Sequence, residues 1–440
     1  LSYGQDFVFG HRRLSIIDIE HGKQPMKSED DSLELVFNGE IYNYIELRQQ
    51  LTRSGMRFQT FSDTEVLLKA YERYGLDCLQ KLNGMFAFAL MDKSKRRFVL
   101  VRDHFGIKPL YYTRLRDDSL AFASEIKALF AHPDCSPEMN NAALNDYLTF
   151  QFCLGDKTLF QNIFKLQPGF FLQYNLDSQD ITIHKYWEPS YEVDTYHTEE
   201  YFIDKLQLLL QSSVEGQLRS DVPVGGYLSG GIDSSCVVNL ASSEYGNGFK
   251  AFTGRFEEGP EYDESYYARL VAEESKSEYH EIVPTAQDFI DSLPELIYHM
   301  DEPAAGPGLF PQYMVSKLAR ENVTVVLGGQ GGDEIFGGYA RYLVAYLEQS
   351  LKGAIFETQE EGRHIVTLES IIPNLPLLKQ YVPMLQSFWQ QDLFAPMAER
   401  YFQLIDRSPN LEKILDSQVW AEYDSQAVFK RFQDIFNRPD

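Results

Sequence analysis

Two domains of different class are expected. The first is an α+β domain on antiparallel sheets, and the second is an α/β domain on a parallel sheet. Three observations carry this. Short strand-like runs in the first half are joined by turn residues at hairpin spacing, while strand-like runs in the second half alternate with helical periods. Between them, Glu188 to Glu200 has a proline and mixed polar residues with no sustained period. The boundary falls there, giving domains over 1–190 and 198–440.

In chain order, Leu33-Glu34-Leu35-Val36-Phe37 puts both leucines and the phenylalanine on one face, with Asn38-Gly39 as a turn-competent stop. Val66, Leu67, Ala70 and Tyr71 suggest a helix packed outside the sheet. Residues 85 to 101 read as a hairpin about Asp92-Lys93-Ser94-Lys95, and a second hairpin turns at Asp117-Asp118. Past the boundary, Phe202, Leu206, Leu209 and Leu210 mark one face of an amphipathic helix. Strands are expected over Val222 to Leu228, Phe249 to Phe256 and Val323 to Leu327, with Phe310, Met314 and Leu318 on a helix between the last two. The final hundred residues read as helical, without repeats.

Composition narrows the function classes. The chain has 440 residues, and 65 acidic against 40 basic side chains leave a net charge of −25. Such a charge repels phosphate backbones, so nucleic acid is not an expected partner. The apolar run Met85 to Met91 spans seven residues, far short of the ~18 that suggest a membrane span. The four cysteines, Cys78, Cys135, Cys153 and Cys236, lie far apart with no zinc-ligand spacing, which disfavours zinc and disulfides and fits a reducing cytosol. Each reads as a buried small apolar side chain.

The strongest chemical signal follows the strand ending at Leu228. In Ser229-Gly230-Gly231-Ile232-Asp233-Ser234-Ser235 the glycines let backbone approach an anion, the serines add hydroxyls, and a helix start offers free N–H groups. The loop reads as a phosphate or pyrophosphate cradle, without the lysine of a Walker loop. The plain alternative is a serine-capped helix after a tight turn. A second loop, Gly328-Gly329-Gln330-Gly331-Gly332-Asp333-Glu334, follows the strand Val323 to Leu327. Two such loops at the carboxyl ends of parallel strands suit a nucleotide, with Asp233 and Asp333 as candidate magnesium ligands on its pyrophosphate.

These residues resemble the PP-loop of ATP pyrophosphatases. Pro260-Glu261-Tyr262-Asp263-Glu264-Ser265, Asp301-Glu302-Pro303 and Gly331-Gly332-Asp333-Glu334-Ile335-Phe336-Gly337-Gly338-Tyr339 narrow the resemblance to the synthetase domain of glutamine-hydrolysing asparagine synthetases. The first half is similar to that family's class II glutaminase through His11 to Asp18, Asn38-Gly39-Glu40-Ile41-Tyr42-Asn43 and Ser62-Asp63. The resemblance implies an αββα N-terminal-nucleophile fold for the first domain and a PP-loop sheet for the second. It implies a glutamine site of Arg13, Leu14, Ser15, Ile16, Ile17, Asn38, Gly39, Glu40 and Asp63. In it Arg13 takes the α-carboxylate, Glu40 and Asp63 take the α-ammonium, and Asn38 with the Gly39 N–H forms the oxyanion hole. For ATP it implies Leu228, Ser229, Gly230, Gly231, Asp233, Ser234, Ser235, Gly254, Gly328 and Gly329. Each glutamine-site residue also has a plain reading: Asn38-Gly39 as a turn, Arg13 as a surface cation, Asp63 as a helix cap, and His11 as structural.

The implied reaction is ATP-dependent amidation of a carboxylate through an acyl-AMP, with aspartate the default acceptor. Glutamine, ATP and the acceptor are the expected partners, and a homodimer is the candidate assembly. The family's nucleophile is an N-terminal cysteine, so a segment is expected before Leu1, and the 440 residues alone are expected not to hydrolyse glutamine. A Lys-Val-Asp-Arg-like block and a catalytic lysine are likewise expected beyond Asp440. Two departures bear on substrate. Gln330 stands where the family often has an acid that assists acyl-adenylate formation, and Gly254 replaces a branched residue against adenine, leaving a roomier base pocket. An acceptor such as a sugar acid or peptide side chain is therefore the main alternative. An inactive nucleotide-binding homologue and a tRNA-modifying PP-loop enzyme are weaker ones.

Overall fold

The computed structural model describes the chain except residues 193, 195, 258, 260–262, 304–305, 307, 357–370, 391–394 and 438–440, and the side chains of 356, 374 and 380. Val193 and Thr195 of the boundary segment, Pro260-Glu261-Tyr262 and Asp440 therefore lie outside the described residues. The chain falls into two compact units: Leu1–Asn140, Gly155–Ser190 and Ile203–Gly328 in one, and Asn141–Leu154, Tyr191–Phe202 and Gly329–Asp440 in the other. This division does not follow the change of composition after residue 188.

The first unit opens with the paired β1 (Ser2–Tyr3) and β2 (Val8–Phe9). β3 (Met26–Lys27) and β4 (Leu33–Ile41) lead to α1 (Tyr44–Arg53) and α2 (Asp63–Tyr74). The two expected hairpins follow as β5 (Gly84–Asp92) with β6 (Arg97–Arg102), and β7 (Tyr111–Arg114) with β8 (Leu120–Ala123). Then come α3 (Ile126–Leu129), α4 (Asn141–Phe150, counted in the second unit), β9 (Phe164–Lys165), β10 (Phe170–Asn175) and β11 (Ile181–Lys185). An antiparallel sheet runs β11-β10-β6-β5-β4-β3, and a smaller one runs β8-β7-β9.

The period-2 pattern of β4 explains the layers. Leu33, Leu35 and Phe37 face α1 and α2, where they pack with Leu47, Leu51, Val66, Leu67, Ala70 and Tyr71. Val36 faces the other way, into a cluster with Ala87, Leu100, Tyr112 and Phe122 that joins the two sheets. Ile126 and Leu129 of α3 close the far side of the smaller sheet against Tyr111, Ala121 and Ala123.

Asn38-Gly39 does not end the strand. β4 keeps register with β5 from Leu33 opposite Asp92 to Ile41 opposite Gly84. Gly39, at φ 150°, allows this, because a Cβ there would lie 2.0 Å from the Met85 carbonyl oxygen and 2.7 Å from Phe86 Cα. The dipeptide marks a close strand approach, not a turn.

The parallel sheet expected downstream is present within the same unit. After α5 (Glu199–Gln217) come β12 (Val224–Tyr227), α6 (Ile232–Tyr245), β13 (Lys250–Gly254), α7 (Ser265–Glu274), β14 (Glu278–Ile282), α8 (Ala286–Met300), α9 (Leu309–Arg320) and β15 (Val325–Leu327). The strand order is β14-β13-β12-β15, with every pair parallel. Gly226 lets α6 press on β12, since a Cβ there would meet Val238 Cγ2 at 2.8 Å. On α5 the expected apolar face is not buried: Phe202, Leu206 and Leu209 are exposed, and Val214 is the residue it buries.

The second unit gathers α4 with α10 (Gly332–Phe336), α11 (Ala340–Phe356), α12 (Val382–Trp389), α13 (Met397–Ile405), α14 (Ser417–Ala421) and α15 (Ser425–Phe436). Phe150 of α4 packs with Val428 and Phe432 of α15, and Val344 and Leu347 of α11 pack with Phe388 and Leu404. Cys78 and Cys153 are buried and Cys135 is half-buried, but Cys236 is exposed. It lies on α6 away from the side where Ser234, Val238 and Ala241 are buried.

Candidate functional site

A cavity of about 650 Å³ opens in the first unit beside the free edge of β4, lined by residues that include Arg13, Asn38, Gly39, Glu40, Asp63 and Ser124. β3 pairs with β4 only at Glu34 and Leu35, so the edge beyond is unzipped. Side chains occupy two of its rungs. The Phe37 N–H donates to Gln24 Oε1 at 2.6 Å while Gln24 Nε2 donates to the Phe37 carbonyl at 3.0 Å, and the Ile41 N–H donates to Asp63 Oδ2 at 3.1 Å. Gly39 lies between them with the same alternation of backbone direction. On its other side Phe86 turns both backbone groups to Asp103, which takes the Phe86 N–H at 3.2 Å and donates to the Phe86 carbonyl at 2.7 Å. The Gly39 N–H is thus aimed into the cavity, next to Asn38, whose Nδ2 reaches Ser124 Oγ at 3.5 Å.

Glu40 and Asp63 are each 4% exposed, so their ionised forms are costly unless a cation or hydrogen-bond donors compensate. Burial, then the charge of Asp63, pushes the Glu40 carboxyl up to about 7. Burial also pushes Asp63 up to about 6, against the N–H groups of Ile41 and Thr64 and the charge of Arg13. Glu40 Oε1 is buried without a hydrogen bond among the described residues. An ammonium group seated here would satisfy that oxygen and favour both ionised forms.

Arg13 is held by its own loop: Nη1 donates to Ser15 Oγ at 3.3 Å and to the Asp18 carbonyl at 3.1 Å, and Nη2 donates to the Ile17 carbonyl. Its remaining donors are those available to a guest. Of the sequence-derived set, Ser15 does not line the cavity, whereas Leu14, Ile16 and Ile17 do. Asp63 is not the cap of α2, because Ser62 Oγ accepts the Glu65 N–H at 3.2 Å. Gln24, Lys108, Ser124 and Glu125 were not marked by any motif, and His11 lines the cavity as well, held below the usual histidine range by burial and then by Arg13.

In the parallel half, Gly230 takes φ 92° and passes so close to α7 that a Cβ would lie 2.6 Å from the Glu264 carbonyl oxygen. Ser229 and Ser234 bridge the loop with hydroxyls 2.9 Å apart, Ser229 Oγ accepts the Gly231 N–H at 3.2 Å, and Ser234 Oγ accepts the Ser229 N–H at 3.2 Å. The serine-cap reading fails, since the N-cap of α6 is Gly231 and receives no side-chain cap. The first-turn N–H groups of this 14-residue helix are left for an anion. Leu228 and Gly328 leave adjacent strands, β12 and β15. Gln330 is exposed, and Gly254 ends β13 with Val315 Cγ2 only 3.1 Å from where a Cβ would sit, so Val315 takes up the room that the glycine was expected to leave.

Among the described residues no group of three or more His, Cys, Asp or Glu could hold a metal ion, and no helix is long and apolar enough to cross a membrane. Magnesium carried by a nucleotide needs only one or two protein carboxylates; Asp233 stands in the first turn of α6 and Asp333 in the first turn of α10.

Residues of the parallel half also reach into the first. Asp301, in the left-handed region at φ 63° after α8, accepts the Ile126 N–H at 2.6 Å and the Lys127 N–H at 3.1 Å, and pairs with Lys127 Nζ at 2.9 Å. Glu302 accepts the Leu159 N–H. Asp221 accepts the Asp18 N–H at 2.7 Å, and Arg219 pairs with Glu46 at 2.6 Å.

An antiparallel half with an acid-lined cavity and a parallel half with a glycine cradle describe the class: a glutamine amidotransferase domain followed by a synthase domain. Residues 2–187 match the family model "Glutamine amidotransferase domain", and residues 205–427 match "Asparagine synthase". The chain belongs to the glutamine-hydrolysing asparagine synthetase family. It is 42% identical over 335 residues to glutamine-hydrolyzing asparagine synthetase 1 of Bacillus subtilis, a match covering 76% of this chain and 52% of that one. It is 37% identical over 391 residues to putative glutamine-hydrolyzing asparagine synthetase 2 of Methanocaldococcus jannaschii, covering 84% and 75%. Against asparagine synthetase 3 of B. subtilis the identity is 31% over 408 residues, covering 88% and 61%. The chain thus spans about half the length of the first of these relatives.

Proposed function

We propose that the protein is an ATP-dependent, glutamine-hydrolysing amidotransferase that makes asparagine from aspartate. The observation that carries this is the meeting of Arg13, Asn38, Gly39, Glu40 and Asp63 at one cavity in a chain that also has a glycine cradle on a parallel sheet. In this reading residues 1–190 are a class II glutaminase of the αββα N-terminal-nucleophile type, and 198–440 are a PP-loop synthetase domain. A soluble cytoplasmic protein and a homodimer belong to the same proposal.

Glutamine enters with its α-carboxylate on the free donors of Arg13 and its α-ammonium between Glu40 and Asp63. Its side-chain amide then lies at the β4 edge. When the amide carbon is attacked, the growing negative charge on its oxygen is met by the Gly39 N–H and Asn38 Nδ2. Ammonia leaves with the amide nitrogen, and water then adds to the acyl carbon so that the acyl group departs as glutamate. At the cradle, the backbone amides of Ser229 to Ser235 with Gly328 and Gly329 hold the ATP phosphates, and Asp233 and Asp333 would hold the magnesium that screens them. The acceptor carboxylate displaces pyrophosphate from the α-phosphorus, and ammonia displaces AMP from the resulting mixed anhydride. Gln330 orients polar atoms there but supplies no charge.

The test is to incubate the protein, expressed from its complete reading frame, with ATP, glutamine and aspartate. Asparagine and AMP are expected in equal amounts, and no AMP above background refutes the reading. A second reading, amidation of another carboxylate, is favoured by Gln330 in place of an acid.

A further inference from the structure

The clamp on Arg13 is a short turn that its own residues do not hold alone. Arg13 donates to the Ile17 and Asp18 carbonyls, and Asp18 stands in the left-handed region at φ 49°, which residues with a side chain seldom adopt. Gly22 closes the turn so tightly that a Cβ there would lie 2.6 Å from Arg13 Nη2. Asp18 is fixed from several sides. Its carbonyl accepts the Gly22 N–H at 3.0 Å, and its carboxylate accepts the Phe61 N–H at 2.7 Å and the His21 N–H at 3.1 Å. Its own N–H donates to Asp221 Oδ2 at 2.7 Å. Asp221 makes a second bond on the other side of Ile17, its N–H donating to the Ile16 carbonyl at 3.0 Å. One residue therefore grips both neighbours of Ile17, and the carbonyls that hold the guanidinium are those of Ile17 and of Asp18 beside it. Asp18 is buried, so its N–H without an acceptor would be costly.

Resting on the amidotransferase reading, in which Arg13 takes the α-carboxylate of glutamine, we propose that Asp221 is a positioning residue for glutamine: it holds residues 16–18 in the turn that aims the Arg13 guanidinium. Asp221 lies outside the residues 2–187 that match the glutamine amidotransferase model and inside the 205–427 that match the asparagine synthase model. It stands between α5 and β12, so a determinant of glutamine affinity is carried by the parallel half. The α-carboxylate is remote from the amide carbon that reacts, so a contact to it is as strong in the bound substrate as in the transition state, and its loss moves KM and not kcat. Arg219 supplies the comparison within the same connection. It also reaches the first half, at Glu46 and at the Tyr42 carbonyl, each at 2.6 Å, but its partners are not in the Arg13 turn.

The experiment is steady-state release of glutamate from L-glutamine by the protein expressed from its complete reading frame. Asp221→Ala raises KM for glutamine at least about fivefold, the scale of one lost hydrogen bond, and leaves kcat within about twofold. Asp221→Asn keeps an oxygen for the Asp18 N–H and recovers most of that loss. Arg219→Gln leaves KM unchanged. Because Asp221 acts through Arg13, Asp221→Ala lowers kcat/KM by less than about twofold when Arg13→Gln is already present, where independent effects would multiply. Asp221 is exposed, so its substitution removes no core side chain. A KM indifferent to Asp221→Ala, a fall in kcat in its place, an equal rise in KM with Arg219→Gln, or effects of Asp221 and Arg13 that multiply overturns this inference alone. Failure of the wild-type protein to release glutamate overturns the amidotransferase reading and this inference with it.

Discussion

If glutamine binds in the first cavity as proposed, the acid pair there makes its affinity a steep function of pH. With Glu40 near 7 and Asp63 near 6, both carboxylates are ionised in about nine-tenths of molecules at pH 8 and in under about one-hundredth at pH 5.5. If the α-ammonium of glutamine needs both charges, its dissociation constant rises about 100-fold over that range, with protons released on binding. If one charge is enough, the rise is about fourfold, and two ordinary carboxylates near 4 give less than about twofold. Glutamine keeps its own charges throughout, so the slope reports the protein. Titration calorimetry at constant ionic strength, in buffers of different ionisation enthalpy, reads both the affinity and the proton count. A flat profile between pH 5.5 and 8 refutes the assignment of the ammonium to this pair. The same shift has an opposite effect on the empty protein. An acid whose folded pKa is raised binds more protons folded than unfolded, so its stabilising effect is complete at low pH and is lost as pH rises through about 7. Glu40→Gln therefore weakens glutamine binding at pH 8 while raising the melting temperature there, by about 1–3 kcal/mol of stability, and leaves stability at pH 4.5 nearly unchanged.

Three further outcomes follow from close contacts. Gly39→Ala places a methyl 2.0 Å from the Met85 carbonyl and costs at least about 2 kcal/mol, seen as a lower urea midpoint together with loss of glutamine binding. Gly230→Ala drives a methyl to 2.6 Å from the Glu264 carbonyl, so ATP affinity falls by an order of magnitude or more in equilibrium dialysis while glutamine affinity is untouched. Asp301→Ala leaves the Ile126 and Lys127 N–H groups without their acceptor and destabilises by about 1–3 kcal/mol; unchanged thermal unfolding would contradict that role.

The sheets were legible because their hydrophobic alternation is strong, as at Leu33, Leu35 and Phe37, and because the turn residues at Asp92 to Lys95 and Asp117-Asp118 sit where they must. Asn38-Gly39 misled for a physical reason: a glycine that permits close strand contact carries the same letter as one that permits a turn. β14 was invisible since Glu278-Tyr279-His280-Glu281-Ile282 is an edge strand with little apolar signal. The cavity residues with a recognisable neighbourhood, Arg13, Glu40 and Asp63, could be found from sequence. Gln24, Ser124 and Lys108 could not, because each reaches the cavity from a separate segment and has no local pattern that distinguishes it. The face of α5 was read as buried because periodicity records what a helix could cover, not what covers it.

The grip of Asp301, Glu302, Asp221 and Arg219 on the first half sets a limit on modularity. Cut after residue 190, the first half would lose the acceptors of the Asp18, Ile126, Lys127 and Leu159 N–H groups in a single step. Two of these groups begin α3, directly after Ser124 and Glu125 in the cavity wall. A chimera that grafts a foreign second half onto this first half must therefore carry matching acids at these positions. The two halves are separable as sequence blocks but not as hydrogen-bonded structure.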